Sequence, residues 1–241
     1  MSLPSDAFRH VASRPHEPLH TFHPRRAVLS PVRQDALRRL WPTLGFDVRD
    51  ESDRVETGTL DTDALFGRTA PLVLEIGPGM GGTTATMAAA DAGRDYLAVD
   101  VHIAGLADLL LLVESAGLTN VRVGYGDALD LVRRRLAPGS LDAVHAFFPD
   151  PWPKARHHKR RLVQAEHVAL LRSRLRVGGT LHVATDWAPY ADQMLAVLAA
   201  DPGLRTAGFA QRPAHRPVTK FEARGIEQGR PSVDLVAERV A

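Results

Sequence analysis

The sequence predicts a doubly wound α/β fold with a mostly parallel sheet. Three observations lead there. Leu72-Val73-Leu74-Glu75-Ile76 reads as a buried strand, and Gly77-Pro78-Gly79-Met80-Gly81-Gly82 follows at once, with a helical segment from Thr83. Strand, glycine loop and helix form the first unit of such a fold. Four further apolar runs, 96–101, 121–125, 142–148 and 180–184, then alternate with helical patterns, as parallel strands joined by crossovers do. Finally, acids stand at or just beyond the C-terminal ends of these runs, where ligands collect in open α/β sheets.

Composition sets the bounds. A chain of 241 residues has room for one domain with an extension and a sizeable core. The absence of cysteine excludes disulfides and thiolate metal sites. No apolar run approaches about 18 residues and no signal-peptide pattern is present, so a soluble cytoplasmic protein is expected. The net charge is only +2, so any nucleic-acid reading must rest on local clustering.

Residues 1–60 read as a basic arm followed by a short helix. The first 30 carry His10, Arg14, Arg25 and Arg26 without any period. They are either an RNA-contacting tail or a disordered terminus. Pro31 to Leu44 predicts a helix, with Ser30 as N-cap and Leu37, Leu40, Trp41 and Leu44 at helical spacing. Asp47 to Asp63 reads as a loop.

Residues 61–241 read as the main domain. Gly77 and Gly79 let backbone approach a ligand at a helix N-terminus. Gly82 completes a dinucleotide-type spacing, so the loop alone decides nothing. Glu75 helps to decide. A carboxylate inside the strand would repel a pyrophosphate; it suits a cationic ligand without phosphate. S-adenosylmethionine, with its sulfonium and ammonium, has both properties. The alternative for Glu75 is an acid that orders the loop. Asp100 lies about 20 residues past the loop, the usual place for an acid that binds ribose hydroxyls. Ile103 to Ala116 is an apolar helix. Asp127, after the strand Val121 to Tyr125, either caps the next helix or accepts from an adenine amino group.

The strand Asp142 to Phe148 delivers Pro149-Asp150-Pro151-Trp152-Pro153. The prolines fix φ and bias the residues before them towards extended geometry, giving a stiff loop with one acid and one indole. Lys154, Arg156, His157, His158, Lys159, Arg160 and Arg161 follow, a basic run that fits a polyanion. Arg161 to Arg176 suits a helix ended by Gly178-Gly179. The strand Thr180 to Ala184 then delivers Thr185-Asp186-Trp187, a second acid with an indole. Carboxylates match the donors on the edge of guanine and aromatic faces suit base stacking; a capping role is the alternative for Asp186. Arg205 to Arg212 and Ser232 to Arg239 are strands. Between them, Thr219, Lys220, Phe221 and Glu222 are expected to return over the sheet's C-terminal edge and close a base pocket. There Glu222 would accept from guanine. The eleven histidines show no metal-ligand spacing, and no metal is expected.

These motifs together resemble the bacterial tRNA (guanine-N7-)-methyltransferase family over roughly residues 65–241. The resemblance rests on Glu75-Ile76-Gly77-Pro78-Gly79, Gly126-Asp127-Ala128, Phe148 to Lys154, Arg156 to Arg161, Thr185-Asp186-Trp187 and Thr219 to Gly225. It implies a Rossmann-like class I methyltransferase fold, a seven-stranded sheet with its last pair antiparallel. It implies S-adenosylmethionine contacts at Glu75, Gly77, Gly79, Asp100, Asp127 and Asp150, with Asp150 labelled catalytic. Substrate contacts would fall to Lys154, Asp186 and Thr219 to Glu222, and tRNA contacts to Arg156 to Arg161. The implied reaction methylates guanine 46 of the variable loop. The partner is tRNA, with no membrane, no metal and no obligate protein partner. The family usually has Glu at the place of Asp100, and its glycine-containing N-terminal motif is only loosely matched by Phe22 to Ser30. Two rivals stay open: a methyltransferase acting on an exocyclic base amine, and a catalytically silent RNA-binding module.

Overall fold

The computed structural model describes residues 21–22, 29–49 and 58–241, except the side chains of residues 220 and 221. Most of the arm expected at residues 1–30 lies outside them. Helix α1 (Pro31–Leu44) starts as the sequence dictates, with the Ser30 hydroxyl accepting from the Arg33 amide. It docks on α4 (Ile103–Ala116), where the Arg33 guanidinium donates twice to the Asp108 carboxylate, both at 2.8 Å.

The remaining elements follow in chain order. They are β1 (Gly45–Asp47), α2 (Thr62–Phe66), β2 (Leu72–Ile76), α3 (Gly82–Ala90), β3 (Asp95–Asp100), β4 (Val121–Tyr125), α5 (Ala128–Arg134), β5 (Leu141–Phe147), a 3-10 helix (Ala155–Arg160), α6 (Ala165–Arg174), β6 (Leu175–Thr185), α7 (Ala188–Ala200), β7 (Leu204–Ala210), α8 (Lys220–Glu227) and β8 (Val233–Arg239). The sheet order is β1-β4-β3-β2-β5-β6-β8-β7. Strands β1 to β6 pair in parallel, while β8 is antiparallel to both β6 and β7. The order reverses between β2 and β5, and a ligand crevice opens at such a switch point.

Among the described residues the sheet therefore has eight strands, one more than expected. The extra one, β1, is three residues long and shows no alternation to read. It is made by α1 handing the chain to the free edge of β4, with Gly45 opposite Val123. Only glycine fits there, because a Cβ would sit 2.3 Å from the Trp41 ring. Two other boundaries differ from expectation. Helix α6 stops at Arg174 and β6 begins at Leu175, because Leu175 pairs with Leu141 across the sheet. The segment after Thr219, for which no helix was expected, forms α8.

Two apolar layers sandwich the sheet. One gathers Leu106, Leu109, Leu110 and Val113 of α4, the stripe expected from their spacing, against Val73 and Ala98. The other gathers Leu131, Leu171 and Met194 against Leu74, Val144 and Leu181. Among the described residues, no helix is long and apolar enough to cross a membrane.

Candidate active site

The C-terminal ends of β2 to β5 enclose a cleft of about 240 Å³, lined by Gly77, Gly79, Asp100, Asp127, Phe147 and Asp150, with Thr21 and Phe22 also on its wall. Gly77 and Gly79 have φ of 72° and 60°, conformations that favour glycine. Helix α4 presses on this loop at Gly105, where a Cβ would lie 2.0 Å from the Gly79 carbonyl oxygen. The loop's shape is thus fixed from behind.

Two acids interact at the loop, Asp100 on the cleft wall and Glu75 behind it. Glu75 is 2% exposed and its Oε2 has no hydrogen-bond partner among the described residues. Burial pushes its pKa up to about 7; nearby Asp100 adds to the rise, and Thr84, whose hydroxyl makes no full hydrogen bond, opposes it. Burial also raises Asp100, although it accepts the His102 amide at 2.9 Å. Asp127 does cap α5, accepting from the Leu129 amide at 2.8 Å, and also borders the cleft.

The proline loop is stiff, but not in the way expected. Phe148 and Trp152, each before a proline, have φ of 54° and 42° instead of extended geometry. Such residues cost on the order of 1–3 kcal/mol each and persist only when their surroundings hold them. Here the Phe148 amide donates to the Ala184 carbonyl at 2.8 Å, and the Arg216 guanidinium lies 5.6 Å from the Phe148 ring centre. Trp152 is buried, its indole N–H donating to the Thr21 carbonyl at 3.2 Å. Arg160 covers its ring at 4.9 Å and His157 meets it edge-on. Trp152 is a wedge that folds the loop, not a stacking platform.

The basic run divides accordingly. Arg161 is buried: its Nε donates to the Pro151 carbonyl at 2.8 Å, Nη1 bonds Gln193, and the group stacks 4.7 Å over Tyr190. It ties the loop to α7 and faces no solvent, against expectation. Lys154, Arg156 and Lys159 are exposed and His158 is half-exposed.

Asp186 follows the end of β6 and pairs with Arg230; neither residue lines the cleft. Thr219 and Glu222 form a capping box at the start of α8. Glu222 is 2% exposed. Its oxygens accept from Arg216 Nη1 and Nη2 at 2.8 and 2.9 Å, and from Ser232. Arg216 also donates twice to Asp234, both at 2.7 Å. The expectation that Glu222 reads a base is therefore revised: its lone pairs are already engaged.

A family model described as "Putative methyltransferase" matches residues 69–235. A "tRNA (guanine-N(7)-)-methyltransferase" of Streptomyces avermitilis is 50% identical over 226 residues, covering 92% of this chain and 76% of its own. One of Nitrosospira multiformis is 48% identical over 228 residues, covering 94% and 96%. The chain belongs to the tRNA (guanine-N(7)-)-methyltransferase family. Solved structures agree on the fold alone: the 16S rRNA methyltransferase KamB superposes with a TM-score of 0.57 at 16% identity, over 80% of this chain and 99% of that one. The fold is the class I methyltransferase fold.

For a member of this family, the structure gathers Gly77, Gly79, Asp100, Asp127 and Asp150 on one cleft, with Glu75 behind it. It removes Arg161 and Glu222 from any exposed face. Sequence reasoning missed Arg216 and Asp234. An acid within the apolar run Val233 to Ala237 was the available signal, since a buried carboxylate needs a partner.

Proposed function

We propose that the chain transfers the methyl group of S-adenosylmethionine to N7 of guanine 46 in tRNA, in the cytoplasm. The observation that carries the cofactor reading is the pair Glu75 and Asp100. Glu75 is buried and Asp100 half-buried, desolvation pushes the pKa of each up, and one Glu75 oxygen has no partner among the described residues. Such a pair favours a ligand that brings positive charge and donors. Gly77 and Gly79 would let the backbone approach that ligand, with Asp100, Asp127 and Asp150 along its length. When bound, the cofactor supplies an electrophilic methyl group on a sulfonium.

Guanine N7 has an in-plane lone pair and no proton, so no side chain has to remove one. The residues' work is placement and charge. On methylation the base would take on positive charge. Asp150, at the cleft rim, orients and stabilises that charge. Lys154, Asp186, Thr219, Lys220 and Phe221 form the guanine side, and Glu222 contributes by locking α8 through Arg216. Arg156, His158 and Lys159 meet tRNA phosphates, while His157 and Arg160 set the loop beneath them. The target base leaves its stack to reach the cleft.

The test is incubation with unmodified tRNA and methyl-labelled S-adenosylmethionine, followed by nucleoside mapping. Label in N7-methylguanosine at position 46 is expected. Label in N6-methyladenosine, or cofactor-independent tRNA binding without label, overturns the proposal in favour of one of its two rivals.

A further inference from the structure

Histidines far apart in the chain meet under the proline loop. His145 on β5 and His182 on β6 are register partners in the sheet. His215, from the segment that leads into α8, joins them. The ring centres lie 5.8 Å apart for His145 and His182, 5.5 Å for His182 and His215, and 6.2 Å for His145 and His215. One ring nitrogen from each lies within 4.8 Å of the others.

Two of these imidazoles each keep a nitrogen unanswered. His145 and His182 are 3% and 2% exposed, and Nδ1 of each is buried without a hydrogen-bond partner among the described residues. A buried polar atom left unpaired is costly, and two adjacent ones need a reason. The tautomer of His182 follows from its neighbours. Asp234 accepts from Arg216 twice and from His182 Nε2 at 2.7 Å. A carboxylate so engaged is an acceptor, so Nε2 carries the proton and Nδ1 presents its lone pair. A carboxylate fixing one imidazole nitrogen while the other faces outward is the usual support of a metal-bound histidine.

We propose that His145, His182 and His215 form a site for a borderline divalent cation of the zinc type. Three imidazoles with an open fourth position suit such an ion. Metal–nitrogen bonds of about 2.0–2.1 Å require the three nitrogens to draw together by roughly an ångström. His215 is exposed and on a connecting segment, so it is the ligand free to move. Binding would pin the segment before α8 to the sheet beneath Phe147, which packs on both His145 and His182. None of the three histidines lines the cleft, although Phe147 does, and metal binding is measured without any methyl transfer.

The experiment uses the full chain, stripped with a chelator, and titrated with Zn²⁺ by calorimetry and with Co²⁺ by visible absorption. Wild type, His215→Ala and His182→Gln are compared after circular dichroism confirms that each is folded. One Zn²⁺ per chain and the ligand-field bands of nitrogen-bound Co²⁺ are expected in wild type. His215→Ala should weaken Zn²⁺ by at least about tenfold and lose the bands. If affinity, stoichiometry and bands are the same in His215→Ala, other histidines bind the metal and the proposal falls. It falls equally if wild type shows no bands.

Discussion

Glu75 and Glu222 are equally buried, each 2% exposed, yet their surroundings differ in kind. Glu222 is clamped by Arg216 and Ser232, and those donors overcome burial to hold its carboxyl below the usual range. Glu75 has another acid for its charged neighbour and is pushed up to about 7. The first carboxylate has every lone pair answered inside the protein. The second has an oxygen left over. An internally satisfied charge shapes the fold, and an unsatisfied one beside a cleft is held for a ligand.

The basic run shows a related contrast: Arg161 is buried and donates to Pro151 and Gln193, whereas Lys159 is exposed.

The clamp should break hardest. Arg216→Met leaves two buried carboxylates without their cation, and a loss of about 3–5 kcal/mol is expected in urea unfolding. An unchanged midpoint would mean the clamp holds nothing. Glu222→Gln removes one charged partner and should cost about 1.5–3 kcal/mol. Its folded pKa is lowered, so its stabilisation is present above the ordinary carboxylate value and lost as pH falls through the lower folded one. An acid titration of stability should therefore be flatter in this variant.

Glu75→Gln should act the other way. A raised folded pKa means the ionised form is penalised, so wild-type stability falls as pH rises from about 4.5 to about 7. The variant without ligand should gain up to about 3 kcal/mol at pH 8, at roughly 1.4 kcal/mol for each pH step across that window, and match wild type at pH 4. Equal stability at both values would refute the burial of a charge there. The smallest effect is Lys159→Ala. It should leave stability within about 0.5 kcal/mol and reduce the log–log salt slope of tRNA binding by about 0.7–0.9, whereas Arg161→Ala should destabilise the fold. A slope equal to wild type would make Lys159 a solvated residue only.

The parallel half of the fold and its cleft were legible because their signals are local. Leu72 to Ile76 and Tyr96 to Val101 are continuous apolar runs, and the glycines and acids stand at their ends. What escaped was set by partners distant in sequence. Strand β1 exists only because β4 offers an edge. Whether Glu222 faces a ligand or Arg216, and whether Arg161 faces RNA or Pro151, depends on packing that residue type does not encode. The positive φ of Phe148 and Trp152 reverses a local steric preference through contacts with Ala184, Thr21 and Arg216.

The most direct test of the contrast is calorimetry of Glu75→Gln with two ligands, S-adenosylmethionine and the uncharged 5′-methylthioadenosine. If Glu75 is kept unpaired for a cation, losing its charge should weaken S-adenosylmethionine by about 1.5–3 kcal/mol, roughly ten- to a hundredfold, and leave methylthioadenosine nearly unchanged. Equal affinities for S-adenosylmethionine in wild type and variant, or equal losses for both ligands, would contradict the account.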